Sequence, residues 1–175
     1  MPHRHPSHAR DFPRRWLMTD PRLGDALWDT LATLPKGSGV ILRHYELPIA
    51  ERRALFAKVR RIARRRGLTL IVAGQHRLGH ASSHGRHRGA LTAPVHSRRE
   101  AITAIRNGAR LLFVSPVHPT RSHPGARALG PVGLGLLIRG LDASMIALGG
   151  MNERRWRALR PLNVHGWAGI DAWVD

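Results

Sequence analysis

Short apolar runs alternate with stretches of helical periodicity from Trp16 to Ile170. That alternation predicts repeated βα units around a parallel sheet. The first run, Trp16-Leu17-Met18, is closed by Thr19-Asp20-Pro21, and a helix over 22–34 follows with Leu23, Leu27 and Leu31 on one stripe. Residues 39–42 read as a second strand with Arg43 at its carboxyl end. Behind it the spacing predicts a helix over 48–66, with Leu55, Val59 and Ile62 as its apolar stripe and Gly67 as its C′ residue.

A third strand is predicted over 68–72. The stretch 73–89 is poor in apolar residues and dense in His, Gly, Ser and Arg, so it reads either as a degenerate helix with a short strand near 83–85 or as one long loop. Residues 91–95 form the next strand. Ser97 then caps a helix through Asn107, with Glu100 at N3 completing a capping box. Leu111 to Val114 is a continuous apolar run, as a strand buried on both faces requires, and a polar loop leads from Ser115-Pro116 to Gly130. A short helix over 132–139, a strand over 145–148 ending in Gly149-Gly150, an Asn152-capped helix through Leu159 and a last strand over 164–170 complete the chain. Seven strand segments are clear and the eighth falls in the 73–89 stretch. Eight would close a compact (β/α)8 barrel, and 175 residues is short enough that some helices must be shortened or missing.

The length argues for one domain over 16–175 behind a basic, frayed tail of residues 1–15. There is no cysteine, which excludes a disulfide framework, a zinc ribbon and a thiol nucleophile. The apolar runs fall far short of the ~20 residues that span a bilayer, and no apolar region follows the tail as a secretory signal would need, so the expected location is the cytoplasm. The formal charge is +18, almost all of the surplus being arginine. Three readings remain open: nucleic acid, phosphorylated small ligands, or compositional bias. Nucleic acid is the weaker partner, because no aromatic residues interleave with the arginines as single-strand stacking platforms need. The densest cluster, Arg60, Arg61, Arg64, Arg65 and Arg66, is expected on a solvated helix face.

Barrels place their active sites on the loops after the strands. Asp20, Arg43, Gly74, Ser115, Gly149-Gly150 and Asp171 fall there. Two glycines between a strand and a capped helix suit a phosphate cradle or, equally, a tight turn that needs glycine only for its φ angle. The run from Leu112 to Gly125, LFVSPVHPTRSHPG, followed by Ala147-Leu148-Gly149-Gly150-Met151, resembles the late strands of the thiamine phosphate synthase and thiazole tautomerase family. Trp16-Leu17-Met18-Thr19-Asp20 is similar to that family's opening strand, and Val40-Ile41-Leu42-Arg43 to its Gln-Leu-Arg strand. The resemblance implies a (β/α)8 barrel that joins a hydroxymethylpyrimidine pyrophosphate to a thiazole phosphate and releases pyrophosphate. It implies that Arg43 grips the pyrophosphate, that Ser115, Thr120 and Ser122 contact phosphate oxygens, that Gly149 and Gly150 hold the thiazole phosphate, and that His123 stands where the family carries a lysine.

The family uses Mg2+ held by two aspartates, but those positions read Ala73-Gly74 and Ser83-His84-Gly85-Arg86, so no metal site and no cofactor is expected. Arg86 and Arg88 are candidates to replace the metal electrostatically. His76, His80, His84 and His87 read as a solvated loop rather than a metal cluster. Asp171 would repel phosphate if it pointed inward. The expected partners are phosphorylated pyrimidines and thiazoles, with a Nudix hydrolase implied because family members occur fused to one. The alternatives are a thiazole tautomerase, with His118 or His123 moving the proton, or a barrel that binds phosphate ligands without turnover.

Overall fold

The computed structural model describes residues 12–74, 78–121 and 125–174. Eight parallel strands close a barrel in chain order. They are β1 (Arg15–Met18), β2 (Gly39–Leu42), β3 (Thr69–Ala73), β4 (Ser83–His84), β5 (Thr92–Val95), β6 (Leu111–Val114), β7 (Ser144–Leu148) and β8 (Gly166–Gly169). The ring closes where β8 pairs with β1, Trp167 opposite Arg15. Among the described residues five α-helices pack outside: α1 (Ala26–Thr33), α2 (Ile49–Arg66), α3 (Arg98–Arg106), α4 (Gly130–Ile138) and α5 (Glu153–Ala158). Among the described residues no helix stands between β3 and β5, and β8 is followed only by the 3-10 turn Asp171–Trp173. This is the compact TIM-type barrel with missing helices, and the doubtful stretch supplies its eighth strand.

Side chains fill the ring. Trp16 of β1 is fully buried and meets Phe113 of β6 edge to face at 5.4 Å, and Phe113 meets His84 of β4 in the same way at 5.1 Å. These contacts run across the barrel and leave a packed floor beneath the carboxyl-end mouth. Gly39 lies against the Trp16 ring, where any Cβ would collide with it, so the smallest residue on β2 is set by the largest on β1.

Several boundaries differ from the sequence reading for identifiable reasons. Phe12 to Arg15 belong to the barrel rather than to a tail: Trp167 N–H donates to Arg14 O at 2.8 Å and Arg15 opens β1. The first helix starts late, because Gly24 at φ 48° separates a 3-10 turn (Pro21–Leu23) from α1. The buried stripe of α2 is Arg52, Phe56, Val59 and Ala63, rotated from the predicted one, with Leu55 and Ile62 on its flank. Ser97 accepts from Glu100 N–H as predicted, but the Glu100 carboxylate reaches back to His96 N–H and not to that of Ser97.

β4 is the thinnest part of the ring. It meets β5 at the single register pair His84 and Thr92. Thr92 O accepts from Gly85 N–H on that side, so Pro94, two residues on, faces the same way, where β4 has already ended. A proline there removes no ladder bond.

Candidate active site

At the ends of β1 and β2 a cationic corner is built on one hydroxyl. Buried Thr19 accepts the Arg43 N–H at 3.0 Å, and its Oγ1 lies 3.1 Å from His44 Nδ1. With an N–H already directed at the oxygen, the hydroxyl proton is free to go to Nδ1. His44 has φ 30°, an uncommon left-handed conformation for a non-glycine residue. Burial pushes its pKa down, and the Arg43 and Arg52 charges act in the same direction against Glu46 and Asp20. Asp20 caps the following turn through Arg22 N–H and pairs with the Arg22 guanidinium at 2.8 Å and with Arg43 at 3.8 Å. Burial alone would raise the Asp20 carboxyl, but the hydrogen bonds from Arg22 and the charges of Arg22 and Arg43 hold it below the usual range.

Below this corner, His84 is almost wholly enclosed and shares a 2.8 Å hydrogen bond between Nδ1 and Thr92 Oγ1. Desolvation, then the charges of Arg43 and His87, push it down to about 3, so it is a neutral imidazole at ordinary pH. Arg52 reaches in from the first turns of α2. It is 3% exposed, donates through Nη2 to Arg43 O at 3.1 Å and to Ala73 O, and lies 5.7 Å from the Tyr45 ring centroid. Its Nε is buried with no hydrogen-bond partner among the described residues. A guanidinium thus joins the carboxyl ends of β2 and β3.

Around the ring, the ends of β7 and β8 frame a pocket of about 160 Å³ lined by Thr120, Arg121, Gly149, Gly150, Ile170 and Asp171 among others. Gly149 and Gly150 have φ of 91° and 58°. A Cβ on Gly149 would sit 2.8 Å from Pro116 Cα, and that segment is pinned by Val117 N–H to Leu148 O (2.9 Å) and His118 N–H to Gly149 O (3.1 Å). The turn thus needs glycine for its φ angles and for its close approach to Pro116, and it lines one wall of this pocket. Asp171 does point toward this pocket, but Arg121 Nε pairs with it at 3.3 Å, which offsets its charge. Arg155 donates to Gly150 O. Nearby His118 is pushed below its ordinary pKa by burial and then by Arg155.

The strand ends thus bring Arg43, Thr120, Gly149 and Gly150 to the mouth. Ser115 is there too, but its neighbour is His96: His96 Nδ1 lies 2.8 Å from Ser115 O and 3.3 Å from its Oγ. Ser122, His123 and His76 lie outside the described residues. Arg86, a candidate to replace the metal electrostatically, pairs with Glu100 at 3.1 Å on the first turn of α3. His87 Nε2 lies 2.9 Å from Ser83 Oγ, and the described residues hold no group of three or more His, Asp or Glu fit for a metal. Sequence reasoning missed the roles of Thr19, His44, Arg52 and Arg121. Thr19 and Arg121 lay within the quoted motifs, whereas Arg52 resembled any solvated helix arginine.

The donor set does not fit the Mg2+ that the resemblance implies. A side chain on Gly74 would start 3.5 Å from Tyr45 and 3.9 Å from Arg52 Nη2, so the space after β3 already holds a ring and a guanidinium. A hard dication needs free oxygen ligands, and Asp20 and Asp171 are each engaged by arginine.

A family model described as thiamine monophosphate synthase matches residues 81–173. The thiamine-phosphate synthase of Pyrococcus furiosus is 34% identical over 82 residues, covering 47% of this chain and 40% of the relative. That of Salinispora tropica is 36% identical over 73 residues, covering 41% and 35%. The chain thus matches less than half the length of these curated relatives. The solved thiamine phosphate pyrophosphorylase of Pyrococcus furiosus superposes with a TM-score of 0.77 at 22% identity, over 93% of this chain and 88% of that one. The corresponding protein of Bacteroides thetaiotaomicron gives 0.56 at 15% identity, over 92% and 84%. These two likenesses concern the fold. The family model covers more than half of the chain and includes the Ser115 to Arg121 loop and the Gly149-Gly150 turn, so the chain belongs to the thiamine monophosphate synthase family.

Proposed function

We propose that the barrel mouth binds a pyrimidine pyrophosphate and a thiazole phosphate and couples them slowly, without a metal ion. The observation that carries this reading is the pairing of two anion-suited places on one rim: the Arg43 corner at β1–β2 and the small Gly149-Gly150 pocket at β7–β8. In the coupling, the C–O electron pair leaves with pyrophosphate and the thiazole nitrogen lone pair forms the new C–N bond. Such a reaction asks the protein mainly for position and for positive charge where pyrophosphate leaves. Arg43 supplies that charge, with Arg52 buried behind it. Thr120 and the glycine turn seat the second phosphate, and Ser122 and His123 complete that loop in the sequence. Guanidinium forks bind phosphate without octahedral geometry, yet neutralise less charge than a dication, so turnover is slow.

The test is incubation with both phosphorylated precursors, with Mg2+ or with a chelator, and assay for thiamine phosphate. The expected result is weak formation indifferent to chelation. Robust formation that a chelator abolishes and Mg2+ restores would overturn the metal-free reading. Arg43→Ala should weaken binding of inorganic pyrophosphate by about 1.5–3 kcal/mol, the range for hydrogen bonds to charged groups. One observation favours a second reading, tautomerisation of a thiazole: His118 stands neutral beside the glycine turn, able to accept a proton. Deuterium exchange into a thiazole phosphate, lost in His118→Gln, with no coupling product, would select it.

A further inference from the structure

We propose that the outer face of α2 is a docking surface for the phosphate backbone of duplex nucleic acid. Two rows of cations run along this 18-residue helix: Arg53, Arg60 and Arg64 on one side, and Lys58, Arg61 and Arg65 on the other. All six are exposed. At 1.5 Å per residue they span about 18 Å, a length over which a duplex presents about ten phosphates. Glu51 is the helix's single acidic residue, and among the described residues none of these six cations forms an ion pair. Lys58 lies over Trp28 and Arg60 over Phe56. Those rings orient the charges without neutralising them.

The negative end of the helix dipole accounts for cations in its last turn, Arg64 to Arg66. It does not reach Arg53, Lys58, Arg60 or Arg61. Unpaired like charges repel one another along the helix, and a polyanion relieves that repulsion. The class of partner follows from what the face lacks. Its apolar side, Phe56, Val59 and Ala63, is already packed on the barrel, and the one exposed large apolar residue of the helix, Ile49 at its first position, is too little to insert into a bilayer. The two rings beside these charges are taken up, the half-buried Trp28 under Lys58 and the buried Phe56 beside Arg60, so neither serves as a stacking platform for unpaired bases and the regular backbone of a duplex is left. Arginine dominates both rows, and its fork takes two oxygens of one phosphodiester where lysine offers a point charge. The carboxyl end of α2 turns at Gly67 into the amino end of β3, so this surface runs to the opposite end of the barrel from the mouth. The duplex face and the mouth therefore use different side chains, and of the six cations only Arg53 stands near the mouth end.

Because the whole chain carries +18, the test must separate this face from net charge. Binding of a labelled duplex of about 20 base pairs is followed by anisotropy over a range of salt, and log affinity should fall with log salt at a slope of about −5 for the six-cation face. The variant R60Q/R61Q/R64Q/R65Q should lose at least about tenfold in affinity and about 3 to 4 from the slope. The charge-matched variant R99Q/R106Q/R154Q/R160Q, on exposed arginines of other elements, should change affinity by less than about threefold. R61Q/R65Q, the most outward pair, should remove about 2 from the slope, which keeps the test decisive if the fourfold variant does not fold. Arg43→Ala should leave duplex binding unchanged, so failure here is separate from failure of the small-ligand reading. Absent wild-type binding, or equal loss in the α2 and control variants, overturns the proposal. So does tighter α2-dependent binding to phosphatidylserine vesicles than to the duplex.

Discussion

Replacing Gly149 by alanine tests the rigidity of the pocket at β7. The new Cβ meets two separate penalties. The backbone sits at φ 91°, outside the region an L side chain adopts without cost, and conformations of that hand cost about 1–2 kcal/mol. The Cβ also falls 2.8 Å from Pro116 Cα and Cβ, in a segment that two backbone hydrogen bonds hold against the end of β7. That segment cannot yield cheaply, and overpacking of this kind costs about 1–3 kcal/mol. The sum is about 2–5 kcal/mol, which for a domain of this size lowers the melting temperature by roughly 4–20 °C. Gly108 separates the two penalties: its φ is 99° and nothing lies within 4 Å of an added Cβ. Gly108→Ala should show the backbone penalty alone. Urea unfolding of both variants gives the difference. If Gly149→Ala and Gly108→Ala agree within about 0.5 kcal/mol, the Pro116 segment moves freely and the turn is not a fixed wall.

Three further outcomes follow from the same geometry. Arg52→Met removes the donor to two strand-end carbonyls and should destabilise by about 1–3 kcal/mol in chemical denaturation; an unchanged midpoint would show that those carbonyls find other donors. His84 titrates at about 3 in the fold against 6.5 in the unfolded chain, so the unfolded chain binds more protons between those values. Stability should therefore be complete above pH 6.5 and fall as the pH drops below it, with this histidine adding up to about 1.4 kcal/mol per pH unit, and His84→Gln should flatten that slope. Thr19→Val should leave His44 Nδ1 without the hydroxyl and raise the loss of pyrophosphate affinity toward that of Arg43→Ala, read by the same titration; full affinity in the variant would remove Thr19 from the corner.

The strands were legible wherever burial on both faces leaves an unbroken apolar run, as in Leu111 to Val114, and wherever a glycine must end a helix, as Gly67 does at φ 66°. β4 was legible only as one of two alternatives, because two residues cannot display a period and its inward side chain is a histidine. The buried stripe of α2 was misread for a related reason. Arg52 occupies a core-facing position, and an arginine there looks like surface until its acceptors, two strand-end carbonyls, are seen. Motif residues such as Arg43 and Gly149 could be placed at the mouth because a barrel puts strand ends there. What the neighbours do could not be read in advance: the pairing of Asp171 with Arg121 joins residues 50 apart in sequence.

The two-residue β4 also bears on how the ring opens. Few bonds hold it on either side: Val72 N–H to Ser82 O and Gly74 N–H to His84 O toward β3, Gly85 N–H to Thr92 O and Leu91 N–H to Ser83 O toward β5. With two residues in the ladder and one register pair toward β5, β4 is the strand a local opening releases first, so amide hydrogens here exchange with solvent ahead of those in β6 and β7. The opened form is a curved sheet with β3 and β5 as new edges. An incoming strand that tried to add to β5 would find no N–H at Pro94, so the place where this barrel comes apart is also poorly suited to template association with another chain.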